Sequence, residues 1–95
     1  MPTNLPPHDA PVTADNLRAA GFMRDTYPYD TAVLSISNGC SVLCYRTARR
    51  RFHLENRQGA RVFEFPIQDK PANMWAVYAM TRLVLGRDLE KEQQR

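Results

Sequence analysis

Residues 31–46 read TAVLSISNGCSVLCYR, and this stretch decides the fold. The runs 31–37 (TAVLSIS) and 40–46 (CSVLCYR) are β-prone and are separated by Asn38-Gly39. That pair supplies the positive φ that a type I′ hairpin turn needs at both central positions. A two-residue turn there pairs Ser37 with Cys40, Ser35 with Val42 and Val33 with Cys44. On the other face Ile36 meets Ser41, Leu34 meets Leu43 and Ala32 meets Tyr45. The face carrying Ala32, Leu34, Ile36, Leu43 and Tyr45 is the more apolar one and is expected to meet helices. Its opposite is small and mixed, as on a sheet whose second side is partly exposed or takes a partner.

Downstream, residues 50–55 (RRFHLE) alternate Phe52 and Leu54 with Arg51, His53 and Glu55, which predicts a third strand. After the turn Asn56-Arg57-Gln58-Gly59, residues 60–65 (ARVFEF) predict a fourth, stopped by Pro66. The expected sheet is a three- to four-stranded antiparallel meander, the smaller count applying if 60–65 is irregular. A helix should follow from about Pro71, which suits a first helical turn, to Gly86, which suits a left-handed stop. Met74, Val77, Tyr78, Thr81, Val84 and Leu85 recur at helical spacing and should lie across the sheet. Trp75, Met80 and Leu83 widen that apolar surface beyond one stripe, so the helix is either well wrapped or carries a contact surface.

Upstream, Thr13 is a suitable N-cap, Asp15 puts negative charge in the first turn, and Val12 can pack on Leu17. Gly21 suits a left-handed C′ residue, with Phe22 returning to Leu17. Two turns of helix do not persist alone, so Leu17, Phe22 and Met23 need a larger element to dock on. The whole is an α+β domain over residues 12–89, the short N-terminal helix and the C-terminal helix packed on one face. Residues 1–11 hold four of the seven prolines and one aliphatic side chain, Leu5, and are expected to form a flexible leader. Residues 87–95 (RDLEKEQQR) are charged apart from Leu89, and 90–95 are expected as a solvated tail.

At 95 residues the chain has material for one core, which excludes a TIM barrel or a full dinucleotide-binding fold. No apolar run reaches the 18 or so residues that span a bilayer, and the start MPTNLPPHDAP lacks the basic and apolar regions of a secretory signal. A cytoplasmic protein without membrane contact is the expectation. Cys40 and Cys44, four apart on a strand, would have Cα atoms about 13 Å apart, beyond the roughly 7 Å limit for a disulfide. Both read as small apolar residues of a reduced protein, and C-x3-C without further ligands is a poor zinc site. No cofactor and no metal is expected.

Eleven of the 13 basic residues are Arg. Arg46, Arg49, Arg50, Arg51, Arg57 and Arg61 fall within sixteen residues that contain one acid, Glu55. If 46–61 form turns and outward strand faces, these arginines share one sheet edge, with Tyr45, Phe52 and His53 beside them. Such an array suits phosphates and, through aromatic or guanidinium faces, unpaired bases. It also suits an acidic protein surface, or simply a charged guard against edge pairing. Tyr27, Tyr29, Tyr45, Tyr78 and Trp75 supply aromatics of a kind used at interfaces and at core margins. His8 beside Asp9 and His53 beside Glu55 are the only histidine sites. Phosphate-loop, nucleophile-elbow and metalloprotease motifs are all missing.

The opening T-x-D-N-L-R-A-A-G-F at Thr13 to Phe22, the S-N-G hairpin, R-F-H-L-E and the final L-V-L-G resemble small phage and prophage accessory proteins over residues 12–89. Anti-CRISPR inhibitors are among these proteins. The resemblance implies a non-enzymatic inhibitor that occludes a host protein or nucleoprotein complex; it carries over no catalytic residue. The basic hairpin departs from the acidic, DNA-mimicking members. An interaction module using the Arg-rich edge is therefore the first expectation and a nucleic-acid-binding domain the second. A small hydrolase centred on His53 ranks last. A homodimer is compatible with either surface.

Overall fold

A computed structural model describes residues 5–25 and 33–92. The elements in order are α1 (Ala14–Ala20), β1 (Met23–Asp25), β2 (Val33–Ser37), β3 (Ser41–Arg46), β4 (Arg51–Gln58), β5 (Arg61–Pro66), α2 (Met74–Leu85) and α3 (Leu89–Glu92). The strands form one antiparallel meander in the order β1-β2-β3-β4-β5. The α+β class is as read from the sequence, with five strands where three or four were expected. The extra one, β1, pairs Met23 with Ser35 and Arg24 with Leu34, and three residues are too few for alternation to announce. The expected lead-in at Tyr27-Pro28-Tyr29 and the core position Ala32 lie outside the described residues.

The hairpin between β2 and β3 closes one residue later than a turn centred on Asn38-Gly39. Ser37 pairs with Val42, Ile36 with Leu43 and Leu34 with Tyr45, so Gly39 and Cys40 form the tip. Only Gly39 of the turn has positive φ, 103°. Asn38 gives the physical reason, because as the corner residue its side chain makes three hydrogen bonds. Its Oδ1 accepts the backbone N–H of Cys40 at 3.0 Å and of Ser41 at 2.9 Å, and its Nδ2 donates to the carbonyl of Leu85 at 2.9 Å. The register moves by two residues, an even number, so every side chain keeps its expected face. β4 continues to Gln58, which pairs with Arg61, and the following reversal is Gly59-Ala60 rather than 56–59.

The apolar face does meet the helices. Leu34, Ile36, Leu43, Tyr45 and Phe52 pack with Leu17 and Phe22 around α1, with Met74, Val77, Tyr78 and Leu85 of α2, and with Leu89 of α3. α1 has the ends its sequence announces: Thr13 Oγ1 accepts the Asn16 N–H at 3.1 Å, and beyond Gly21 the Phe22 N–H returns to the Leu17 carbonyl at 3.0 Å. The opposite face departs from expectation. Val33, Val42 and Cys44 form a second buried cluster, and His53 and Glu55 on the same face are buried too.

The start of α2 depends on the supposed leader. The first N–H groups of a helix have no partner within it. Here the Met74 N–H donates to the Ala10 carbonyl at 2.9 Å, the Trp75 N–H to the His8 carbonyl at 3.0 Å, and the Ala76 N–H to Asn73 Oδ1 at 3.2 Å. The helix therefore begins at Met74, with Asn73 as its cap, rather than at Pro71. The Tyr78 hydroxyl donates to the Pro6 carbonyl, Pro11 bridges Asn73, and Leu5 and Ala10 pack on the core. Residues 5–11 thus differ from the flexible leader expected: their backbone carbonyls bind, Pro6 is buried, and Leu5 and Ala10 are half-buried. The expected tail differs likewise over residues 90–92, which complete α3, with Glu92 bonded to Arg87 at 2.6 Å.

Deleting residues 1–11 should destabilise the fold by about 2–4 kcal/mol, roughly 1 kcal/mol for each hydrogen bond lost to α2 plus some packing. Urea unfolding followed by circular dichroism measures it, and an unchanged midpoint would mean that the segment contributes nothing. Asn38→Ala removes three hydrogen bonds at once and should cost about 1–3 kcal/mol in the same assay.

Candidate functional site

The nine residues expected to share one basic edge are distributed over four places. Arg46 ends β3 and faces Arg51 at the start of β4, while Arg49 and Arg50 are exposed in the turn between them. Arg50 adopts φ 53°, a left-handed conformation uncommon outside glycine. Arg46 is half-buried; its Nη2 lies 3.6 Å from Glu64 Oε1, and its buried Nε has no acceptor among the described residues. Arg57 and Arg61 stand at the opposite end of β4, about 20 Å away for six residues of strand. β4 is moreover an inner strand, flanked by β3 and β5. The single edge of six arginines is therefore corrected to one basic turn of four, with Arg57 and Arg61 remote from it.

Tyr45 and Phe52 are not at the surface. They are directly paired across β3 and β4, with ring centroids 4.7 Å apart, and both are buried in the core. At most 5% of either residue is exposed, too little for a base to stack on. Burial pushes the Tyr45 phenol above its ordinary value, with the Arg50 charge pulling partly the other way. Burial also raises Tyr78, and the negative charge of Glu90 adds to it.

His53 points away from the main core, as its alternation required, but into a second buried site. Glu55 has no exposed surface. Its Oε2 lies 2.8 Å from His53 Nε2, and its Oε1 accepts from Arg57 Nε at 3.0 Å, with Arg57 Nη2 also at 3.0 Å. Cys44 is directly opposite His53 in the register, and its Sγ, a ring nitrogen of His53 and a carboxylate oxygen of Glu55 all lie within 4.8 Å of one another. A carboxylate out of water is tolerable only when paired and hydrogen-bonded, and Arg57 and His53 do both. Cys44 is buried, as read for it, but beside these polar groups rather than in purely apolar surroundings; Cys40 is exposed at the turn. The sequence signal for this grouping was present but silent. His53 and Glu55 are two apart, and Cys44 joins them only once the β3–β4 register is known.

Two concavities lie beside the segment that leads into α2, and the smaller one reaches the basic turn through Arg50. A groove of about 550 Å³ runs along α2 between Trp75, Ala79, Leu83 and the segment from Ile67 to Asn73. Trp75 is 53% and Leu83 86% exposed, so the wide apolar helix carries a surface rather than being wrapped. A smaller hollow of about 290 Å³ is lined by Arg50, Lys70, Tyr45 and Phe52. The two share Lys70, Pro71 and Ala72 as a common wall, making a continuous apolar-to-basic surface. On the sheet margin β5 adds exposed Val62, Phe63 and Phe65. No helix among the described residues is long and apolar enough to cross a membrane. Compared with known proteins, the chain matches no family model, no curated protein and no solved structure.

Glu55→Ala leaves the buried His53 ring without its carboxylate partner and should cost about 1–3 kcal/mol, whereas Arg49→Ala in the exposed turn should stay within about 0.5 kcal/mol. Equal effects in urea titrations would contradict this division between buried site and exposed turn. The two raised phenols bind their protons more tightly folded than unfolded. Their contribution to stability is complete below the unfolded phenol value of about 10 and is lost as pH rises through the higher folded values. The urea midpoint should therefore fall above pH ~10, less steeply in Tyr78→Phe; an identical fall in that variant would remove Tyr78 from the account.

Proposed function

We infer that the chain is a non-enzymatic interaction module that binds an acidic protein surface bearing an apolar anchor. The observation that carries this reading is the shared wall of Lys70, Pro71 and Ala72 between the α2 groove and the hollow beside Arg50. Leu83 and Trp75 offer the apolar contact that dominates protein interfaces. Arg49, Arg50 and Arg51 supply a basic rim that steers an acidic partner. A module of this size works by occlusion, in keeping with its resemblance to phage accessory inhibitors, and the partner class is then a host protein or nucleoprotein complex. The setting is taken to be cytoplasmic, a compartment in which two thiols remain reduced.

The test is a pull-down from nuclease-treated host extract with the wild type, Leu83→Glu and the Arg49/Arg50/Arg51→Ala triple variant. A protein retained by the wild type at physiological salt should be lost from Leu83→Glu, with about 30-fold weaker affinity for an anchor worth about 2 kcal/mol. The triple variant should bind with slower association and less salt dependence. Retention by Leu83→Glu, or loss of the partner on nuclease treatment, overturns the reading.

A second reading, nucleic-acid binding, is favoured by the exposed turn arginines alone. It requires binding of labelled duplex or single-stranded DNA or RNA that weakens steeply with salt, with a slope reduced by up to about three in the triple variant. Fluorescence anisotropy at two salt concentrations measures it. No binding at low salt removes this alternative.

A further inference from the structure

We propose that Cys44, His53 and Glu55 form a site for a thiophilic divalent transition metal, zinc by its chemistry. Thiolate, imidazole and carboxylate are the three ligand types that zinc takes in proteins, at about 2.3, 2.0–2.1 and 2.0–2.2 Å. Around a tetrahedral ion such ligands stand roughly 3.3–3.8 Å apart. Here the three atoms already lie within 4.8 Å of one another. The His53–Glu55 contact of 2.8 Å needs to open by about half an ångström and the sulfur to close in by about one, both within the reach of side-chain torsions.

The backbone does the positioning. Cys44 and His53 are partners in the β3–β4 ladder, and Glu55 follows His53 by two residues on the same face, so the donors come from adjacent inner strands rather than from loops. Each is buried, with at most 5% of the residue exposed, and the apolar neighbours Val33 and Val42 lower the local dielectric. A low dielectric strengthens the attraction of ligands to a cation.

Charge sets the mode of binding. Without metal, Glu55 is balanced by Arg57. With zinc, a thiolate and a carboxylate balance the two positive charges, and Arg57 becomes surplus. Its side chain is 39% exposed, so the guanidinium can leave Glu55 for water as the ion arrives. The Cys44 thiol proton passes to solvent as the metal–sulfur bond forms, His53 binds as the neutral imidazole, and a water takes the fourth position.

The probe is Co2+ added to the metal-free full-length protein near pH 7.5 under reducing conditions, followed by displacement with Zn2+. The expected result is a thiolate-to-cobalt charge-transfer band and tetrahedral visible absorption at one equivalent, bleached by zinc. It persists in Cys40→Ser and is absent from Cys44→Ser. Glu55→Gln should weaken binding by about 10–100-fold, and Arg57→Gln should strengthen it. Should Cys44→Ser fail to fold, zinc X-ray absorption on the wild type decides. One sulfur near 2.3 Å with nitrogen and oxygen at about 2.0–2.2 Å supports the site. A sulfur-free shell, a band retained by Cys44→Ser or lost in Cys40→Ser, or no band at all overturns it. So does unchanged affinity in Glu55→Gln.

Discussion

A carboxylate with no exposed surface governs the sheet. Glu55 loses its hydration on folding, a cost of several kcal/mol unless partners of the right charge and geometry replace the water. It finds them on its own strand, His53 two residues before and Arg57 two residues after, both within 3.0 Å. The alternation of a β-strand is what puts all three on one face. A one-residue slip of β4 against β3 would carry this network to the helical side and expose Phe52, so the charged group and the aromatic one specify the same register from opposite faces.

β3 is the axis on which both faces depend. Its consecutive residues Val42, Leu43, Cys44 and Tyr45 are all buried, a pattern ordinarily associated with strands covered on both sides. Leu43 and Tyr45 serve the helices, and Val42 and Cys44 the second cluster. β5, by contrast, is exposed along all six residues, and the outer side of α2 keeps Trp75 and Leu83 in water. The molecule is thus doubly packed around β3 and left with exposed apolar side chains on β5 and on the outer side of α2. Monomeric proteins seldom leave such surface open without a use for it.

Besides the buried apolar face of α2, a few hydrogen bonds fasten the outer layer. The N–H groups of Met74 and Trp75 and the Tyr78 hydroxyl tie α2 to the N-terminal segment, and one bond from Asn38 to the Leu85 carbonyl ties it to the hairpin. These contacts bring little apolar area out of water. They answer polar groups that burial would otherwise leave unpaired, and that is a large effect in a small domain whose net stability is only several kcal/mol.

Hydrophobic alternation, Gly and Asn punctuation and the cap at Thr13 determined the α+β class, the meander from β2 to β5, the face that meets the helices and the ends of α1, because each is set by interactions among residues near in sequence. The same local reading failed where a residue's partner is remote. Asn38 moved out of the turn centre because Leu85 offered it a carbonyl. The proline-rich N-terminal segment is ordered because α2 needed acceptors. Arg57 and Arg61 parted from the other arginines because a strand about 20 Å long lies between them. Cys44, His53 and Glu55, each polar and unremarkable alone, became one buried cluster only in the register of β3 on β4. Tertiary structure alone decided these, since hydrogen-bond and charge partners are chosen by distance in space, which sequence separation does not measure.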